Sequence, residues 1–496
     1  TDPLVGGMHT FTVGTGGLPA ITDTVIIDGT TDGDYAGDPV IRIDGSSAGL
    51  GVNGLTFTST SDGSVVRGLM ITGFSEHGIQ IDAGADGITI ANNWIGTTGT
   101  GSTGVGNGNT GIYIQGANTV VGGIGANDGN VITNNGNEGI NVTGAGATGT
   151  VIQGNIIGLD PDGATGSGNA DVGIALLSGA HNTTIGGSTA AERNIISNNC
   201  EGIEINSNNN IVPGNYIGTD ITGTLDRGNR SDDGIELQNG ATGNLIGGAG
   251  AGEGNLISGN AGQGIYITNA DGNTVLGNLI GTDVTGTAAI ANNVGVLILS
   301  HDNLIGGPDP AAGNLISGNL YDGIRLEADA GNNRIEGNLI GTDITGTAAL
   351  GNETGIAMLS HGNVVGGGNP AARNVVSGNV GDGLRLEQGA GGNQISGNFF
   401  GTDINGTAAL GHGGRGVNLN DAHGNTVGGG PGEGNVLSAN HGGVALVFTS
   451  SGNAVVGNMI GTDVTGTLPL GNVRSGVLVA REAGGNGIGG RADDVG

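Results

Sequence analysis

Apolar residues along this chain fall into short alternating runs. Ile79-Gln80-Ile81, Ile112-Tyr113-Ile114, Ile140-Asn141-Val142 and Ile203-Glu204-Ile205 share one form, a glycine followed by Ile-x-Ile or, once, Ile-x-Val. A period of two places the branched residues on one face and the intervening residue on the other, the signature of a half-buried strand. The leading glycine recurs at Gly78, Gly111, Gly139, Gly173, Gly202, Gly234, Gly264, Gly295, Gly323, Gly355, Gly383, Gly416, Gly443 and Gly476. The steps are roughly thirty residues, and each holds two further short apolar runs between Gly/Asn turns. Such runs are too short for helices. One coil of three strands per step predicts a parallel β-helix, an all-β solenoid whose coils stack ~4.8 Å apart.

A longer period lies over the first. GNLIGTDVTGTAA at 277–289 returns at 337–349, 397–409 and 457–469, with looser copies at 214–226 and 154–166. Asp160, Asp220, Asp283, Asp343, Asp403 and Asp463 are 60, 63, 60, 60 and 60 residues apart, so the repeat spans two coils. An asparagine closes the turns at Asn155, Asn199, Asn215, Asn260, Asn278, Asn319, Asn338, Asn379, Asn398, Asn440 and Asn458, predicting one stacked amide ladder with a rung on nearly every coil. Residues 1–72 alternate without the strict repeat and are expected to form atypical capping coils. Residues 73–496 carry the regular helix and break off inside a repeat, so a continuation is expected.

Composition narrows the partners. Thirteen basic residues against 44 acidic ones give a formal charge of −31, which repels a phosphate backbone and argues against nucleic acid. No apolar run reaches membrane-spanning length, which argues against membrane insertion. The single Cys200 has no partner for an internal disulfide. The 113 glycines show no three-residue period, which excludes collagen.

With GI-x-I, GN-x-I-x-GN-x-I and IGTD-x-TGT in place, the chain resembles the right-handed parallel β-helix repeat proteins of the pectate-lyase-like superfamily, over about residues 20–496. Bacterial extracellular proteins with the GTD-x-TGT unit are the most similar in pattern. The resemblance implies a single right-handed parallel β-helix of about fifteen coils, a secreted or cell-surface bacterial location, and contact with polysaccharide. Its enzymes (lyases, hydrolases, epimerases) use signatures that do not carry over. Asp232-Asp233 and Gly411-His412-Gly413 exist here but stand about six coils apart, and lysine is absent.

Candidate chemistry sits at the outward position of the GI strands, where the repeat stops being monotonous. Glu204 and Glu236 lie one coil apart, so their carboxylates are expected ~5 Å from each other, with Tyr266 one coil further on and Asp233 beside the strand. As catalytic candidates, Glu204, Glu236, Asp233 and Tyr266 would supply an acid and a base. Arg325 and Arg385, two coils apart over the small Ala357, form a second candidate with Glu327, Glu387 and Asn418, for binding a sugar chain. Solvated surface pairs are the alternative reading of both clusters. Asp220, Asp283, Asp343 and Asp403 in the TGT loops are weak candidates for Ca2+, set against a simpler role in closing their own turns. No cofactor is required. A stripe of Leu177, Leu297, Leu299, Leu359 and Leu478 would serve self-association. The leading expectation is an adhesive or structural solenoid that contacts a polysaccharide or cell-surface glycan. The rival is a polysaccharide-active lyase, glycoside hydrolase or uronan epimerase.

Overall fold

The computed structural model describes residues 7–489, and the ends of the two expected segments, 1–6 and 490–496, lie outside the described residues. The chain is all-β, a right-handed parallel β-helix of about sixteen turns with three sheets. It divides into two compact units. The first reaches to Leu245 and takes in Gly259–Ala261. The second holds Ile246–Ser258 and the chain from Gly262 onward.

Each coil runs through the same three strands. In the first unit, the GI sheet stacks Ile79–Ile81, Ile112–Ile114, Ile140–Thr143, Val172–Leu177, Glu201–Ile205 and Ile235–Leu237 in parallel, one coil per strand. In the second unit it stacks Ile265–Thr268, Val296–Leu299, Asp322–Leu326, Thr354–Met358, Leu384–Glu387, Arg415–Asn420, Gly442–Val447 and Val477–Val479. Register is strict: Ile112 pairs with Ile140 and Tyr113 with Asn141, so each residue type forms a column along the sheet. The inward columns hold Ile79, Ile81, Ile112, Ile114, Ile203 and Ile205, none with any exposed surface. Removing these branched side chains from water drives the stacking. The glycine before each strand is required by close approach: a Cβ on Gly111 would stand 2.6 Å from the Gly139 carbonyl oxygen, and one on Gly139 2.7 Å from that of Gly173.

The asparagines form three ladders rather than one, which corrects the expectation of a single ladder. In the second unit one runs Asn255, Asn278, Asn314, Asn338, Asn374, Asn398, Asn435 and Asn458. Another runs Asn273, Asn303, Asn333, Asn363, Asn393, Asn425, Asn453 and Asn486 through backbone N–H to side-chain oxygen bonds. The third holds Asn292, Asn319, Asn352 and Asn379, then His412, Asn440 and Asn472. The expected members alternate because Asn338 and Asn379 belong to different corners of the coil. Three corners per turn leave three sets of buried backbone groups, and each ladder satisfies one.

The atypical segment before residue 73 enters the same sheets through His9–Thr12, Ile26–Asp28, Ile41–Asp44 and Leu55–Phe57. Among the described residues, no helix is long and apolar enough to cross a membrane.

Candidate functional site

In the second unit, the outward column of the GI sheet reads Leu297, Arg325, Ala357, Arg385 and Asn418 in register. Ala357 is too short to fill the space between the two arginines. A cavity of about 390 Å³ opens there, lined by Val294, Leu297, Tyr321, Asp322, Arg325, Glu327, Glu353, Thr354 and Arg385. The Arg325 guanidinium donates from Nε to Glu327 at 2.6 Å and from Nη1 to the buried Asp322 at 3.2 Å. Arg385 Nε lies 3.3 Å from Glu387, outside hydrogen-bond geometry. Asn418 donates to Asp382 at 2.8 Å, and Asn420 donates to Glu387 at 3.2 Å. Of the five residues expected here, Arg325, Glu327 and Arg385 line the cavity, while Glu387 and Asn418 lie beside Arg385 on the sheet. The sequence reading missed Tyr321, which stands 59% exposed on the rim, and Glu353. Both lie in the turn before the strand, where the outward-column rule does not reach.

The trough holds two arginines against Asp322, Glu327 and Glu353 on its wall, with Glu387 beside Arg385. Two guanidiniums against four carboxylates leave it a formal charge of −2, which disfavours a polyanion. What it offers is a set of donors and acceptors at fixed positions.

In the first unit the same column reads Tyr113, Asn141, Ala175, Glu204 and Glu236. Glu204 and Glu236 are direct register partners, as expected. The Gln238 amide donates to both, at 2.9 Å each, and Asn206 donates to Glu204 at 2.8 Å. Burial pushes the Glu204 carboxyl up, against the pull of the two amides. Burial and the neighbouring Glu204 push Glu236 up to about 7. Asp233 lies two residues before the inward Ile235, at the coil corner, and is 2% exposed. Glu201 holds the corresponding corner on the previous strand and was missed. It is 8% exposed, its Oε1 has no hydrogen-bond partner, and burial reinforced by Glu236, Glu204, Asp232 and Asp233 raises it to about 9. The signal was present: EGI at 138–140 and 201–203 and DGI at 233–235 each put an acid two places before the inward residue. Tyr266 belongs to the second unit, on Ile265–Thr268 beside Leu297.

The TGT-loop aspartates close their own turns. Asp220 accepts from Thr222 Oγ1, Thr224 N and Leu225 N, and Asp283, Asp343 and Asp403 accept the equivalent bonds. Burial works against the charge, yet these donors hold each carboxyl below the usual range. A cation here would have to displace N–H and O–H groups already aimed at the oxygens. Within the leucine stripe, Leu359 is buried, and Leu177, Leu297, Leu299 and Leu478 are half-buried.

A second pair of grooves, unforeseen, flanks the loops. One of about 560 Å³ in the first unit is lined by Ile156, Arg193, Ile195 and Ile221 among others. Its counterpart of about 420 Å³ in the second unit is lined by Leu315, Leu339, Ile344, Arg373 and Ile404. Arg193 lies over the Tyr216 ring and Arg373 over Phe399, each at 4.1 Å.

No protein-family model matches the chain, and no curated protein matches it. Among solved structures it is similar to a double mutant of the periplasmic alginate epimerase AlgG, at 15% identity over 90% of this chain and 76% of that one, TM-score 0.35. It is also similar to DFA-IIIase from Arthrobacter chlorophenolicus A6 in complex with GF2, at 14% identity over 74% of this chain and 84% of that one, TM-score 0.32. A third is the Dettilon tailspike protein, at 14% identity over 95% of this chain and 61% of that one, TM-score 0.32. Likenesses this remote say nothing of chemistry, which rests on the residues above.

Proposed function

We propose that this chain is an extracellular or cell-surface β-solenoid that binds an uncharged stretch of polysaccharide in the Arg325–Arg385 trough, without turning it over. One observation carries the reading. Two arginines are held apart over Ala357 in an open trough, each beside a carboxylate, with the exposed Tyr321 ring on the rim. Sugar hydroxyls both donate and accept, so neighbouring guanidinium and carboxylate groups match them, and an aromatic ring covers the apolar face of a pyranose. The repeat continues with little disturbance beneath the trough, as suits a scaffold. The test is titration of a panel of neutral oligosaccharides against the wild type and Arg325→Ala/Arg385→Ala. The double variant is expected to bind about tenfold or more weakly. The reading is lost if no neutral glycan binds, or if the double variant binds as well as the wild type.

A second reading has one observation in its favour. Glu236, half-buried against Glu204 and raised to about 7, is tuned for proton transfer near neutrality. Catalysis there requires that a glycan be cleaved or epimerised by the wild type and left intact by Glu236→Gln.

A further inference from the structure

The two units use the same strand positions in opposite ways. In the second unit, DGIRLE at 322–327 places Arg325 between Asp322 and Glu327 and bonds it to both. In the first unit the corresponding positions read EGIEIN at 201–206 and DGIELQ at 233–238. The leading acid is retained, but the arginine position holds Glu204 and Glu236. Among the described residues, no arginine or histidine forms an ion pair with Glu201, Glu204, Glu236, Asp171 or Asp232. The donors that do arrive are neutral amides, from Asn206 and Gln238. Glu201, more than nine-tenths buried and facing these carboxylates, keeps Oε1 unpartnered. The chain's own repeat shows what fits such a cradle: a nitrogen cation between two carboxylates.

We propose that the first unit's cluster of Glu201, Glu204 and Glu236 binds the ammonium group of an amino sugar within a glycan chain. The proposal rests on the glycan reading above and adds a substrate class for a separate site. A metal ion fits less well. Among the described residues, the only three such ligands with atoms within 4.8 Å of one another are His9, Asp32 and Asp34, far along the chain from this cluster. An ammonium on a sugar tolerates the wider spacing, because its three donors point in different directions. The column also extends away from the acids. Beyond the buried Ala175 and Asn141, the half-buried Tyr113 ring stacks on His77 at 4.6 Å. From Tyr113 to Glu236 is four coil spacings, ~19 Å, the length of several linked sugars rather than of a single ion.

The test compares glucosamine oligomers with their N-acetylated counterparts by calorimetry at about pH 7.5, above the raised value of about 7 for Glu236, so that this carboxylate is ionised. The free amine is expected to bind about tenfold or more tightly, and Glu204→Gln/Glu236→Gln to remove that preference. Both changes are near-isosteric and relieve like-charge crowding, so a melting temperature at or above wild type verifies the fold. Equal affinity for both oligomers overturns the proposal. So does an unchanged preference in the double variant, displacement of the oligomer by equimolar Ca2+, or tighter binding of a lysine peptide of equal charge. Neutral oligosaccharide binding at the arginine trough is measured in parallel. If that persists while the amine preference is absent, this proposal alone falls; if neither binds, the glycan reading falls with it.

Discussion

His412 shows how much one residue in a repeat can matter. It takes the place of asparagine in a buried ladder, accepts from the Asn379 N–H at Nδ1, and donates its own N–H to Asn440. Its Nε2 is buried without a hydrogen-bond partner. Burial lowers the ring to about 4, so it is neutral when folded at neutral pH. The unfolded chain protonates near 6.5, so this group's contribution is complete above that pH and is lost as pH falls toward about 4. The full difference amounts to about 3 kcal/mol. His412→Asn keeps the ladder and adds a side-chain amide donor of the kind that Asn379 aims at the Ile340 carbonyl. We expect it to raise the melting temperature, and to do so more at pH 5 than at pH 7, as thermal melts at both values would show. Asn363→Ala in the neighbouring ladder is expected to cost about 1–3 kcal/mol by denaturant unfolding, because it strands the Asn333 N–H and the Ala330 carbonyl.

The element with most to add is the TGT loop. Its aspartates recur on every second coil, and sequence spacing implies loops ~10 Å apart and independent. The structure joins them. Ile344 N–H donates to the Gly286 carbonyl at 3.0 Å, Ile404 to Gly346 at 2.9 Å, Val464 to Gly406 at 2.9 Å, and in the first unit Ile221 to Gly163 at 2.9 Å. Each loop is a small hairpin closed by a bridge such as Thr342–Ala349, long enough to reach across the intervening coil. Gly346 is essential twice over. Its φ is +67°, and a Cβ would sit 2.8 Å from that of Ile404. Gly346→Val is therefore expected to destabilise by about 1–3 kcal/mol and to open the loop pair. Hydrogen exchange at the Ile404 amide would report the opening; unchanged protection there would contradict the stacked-loop account.

At the scale of the whole molecule, charge is the dominant feature. All thirteen basic residues are arginine, and the net charge of −31 leaves most carboxylates without a cation. Self-repulsion opposes the compact state, so melting temperature is expected to rise as salt increases from about 0.01 to 0.15 M, where the screening length shortens from about 30 to 8 Å. The acidic corner adds a specific pH dependence. Glu201 is raised to about 9 when folded, so the native chain holds a proton that the unfolded chain releases near 4.5. Its contribution is complete below 4.5 and is lost progressively as pH climbs toward 9. Glu201→Gln should flatten this alkaline loss, measured as the slope of stability between pH 6 and 9. An identical slope in the variant would remove Glu201 as its source.

Alternation and period by themselves determined that the chain is a parallel β-helix, which residues face inward, and that Glu204 pairs with Glu236 and Arg325 lies two coils from Arg385. A strict register converts sequence separation directly into spatial adjacency, so a column can be read without coordinates. Only the tertiary structure decided what happens at the corners, where that rule ends. It divided the asparagines among three ladders, put His412 inside one of them, brought Tyr321 to the rim of the arginine trough and set Glu201 near the paired glutamates. It also linked the TGT loops across a coil. Turn geometry is set by backbone dihedrals and by which neighbouring coil offers a donor, and a one-dimensional period does not encode either.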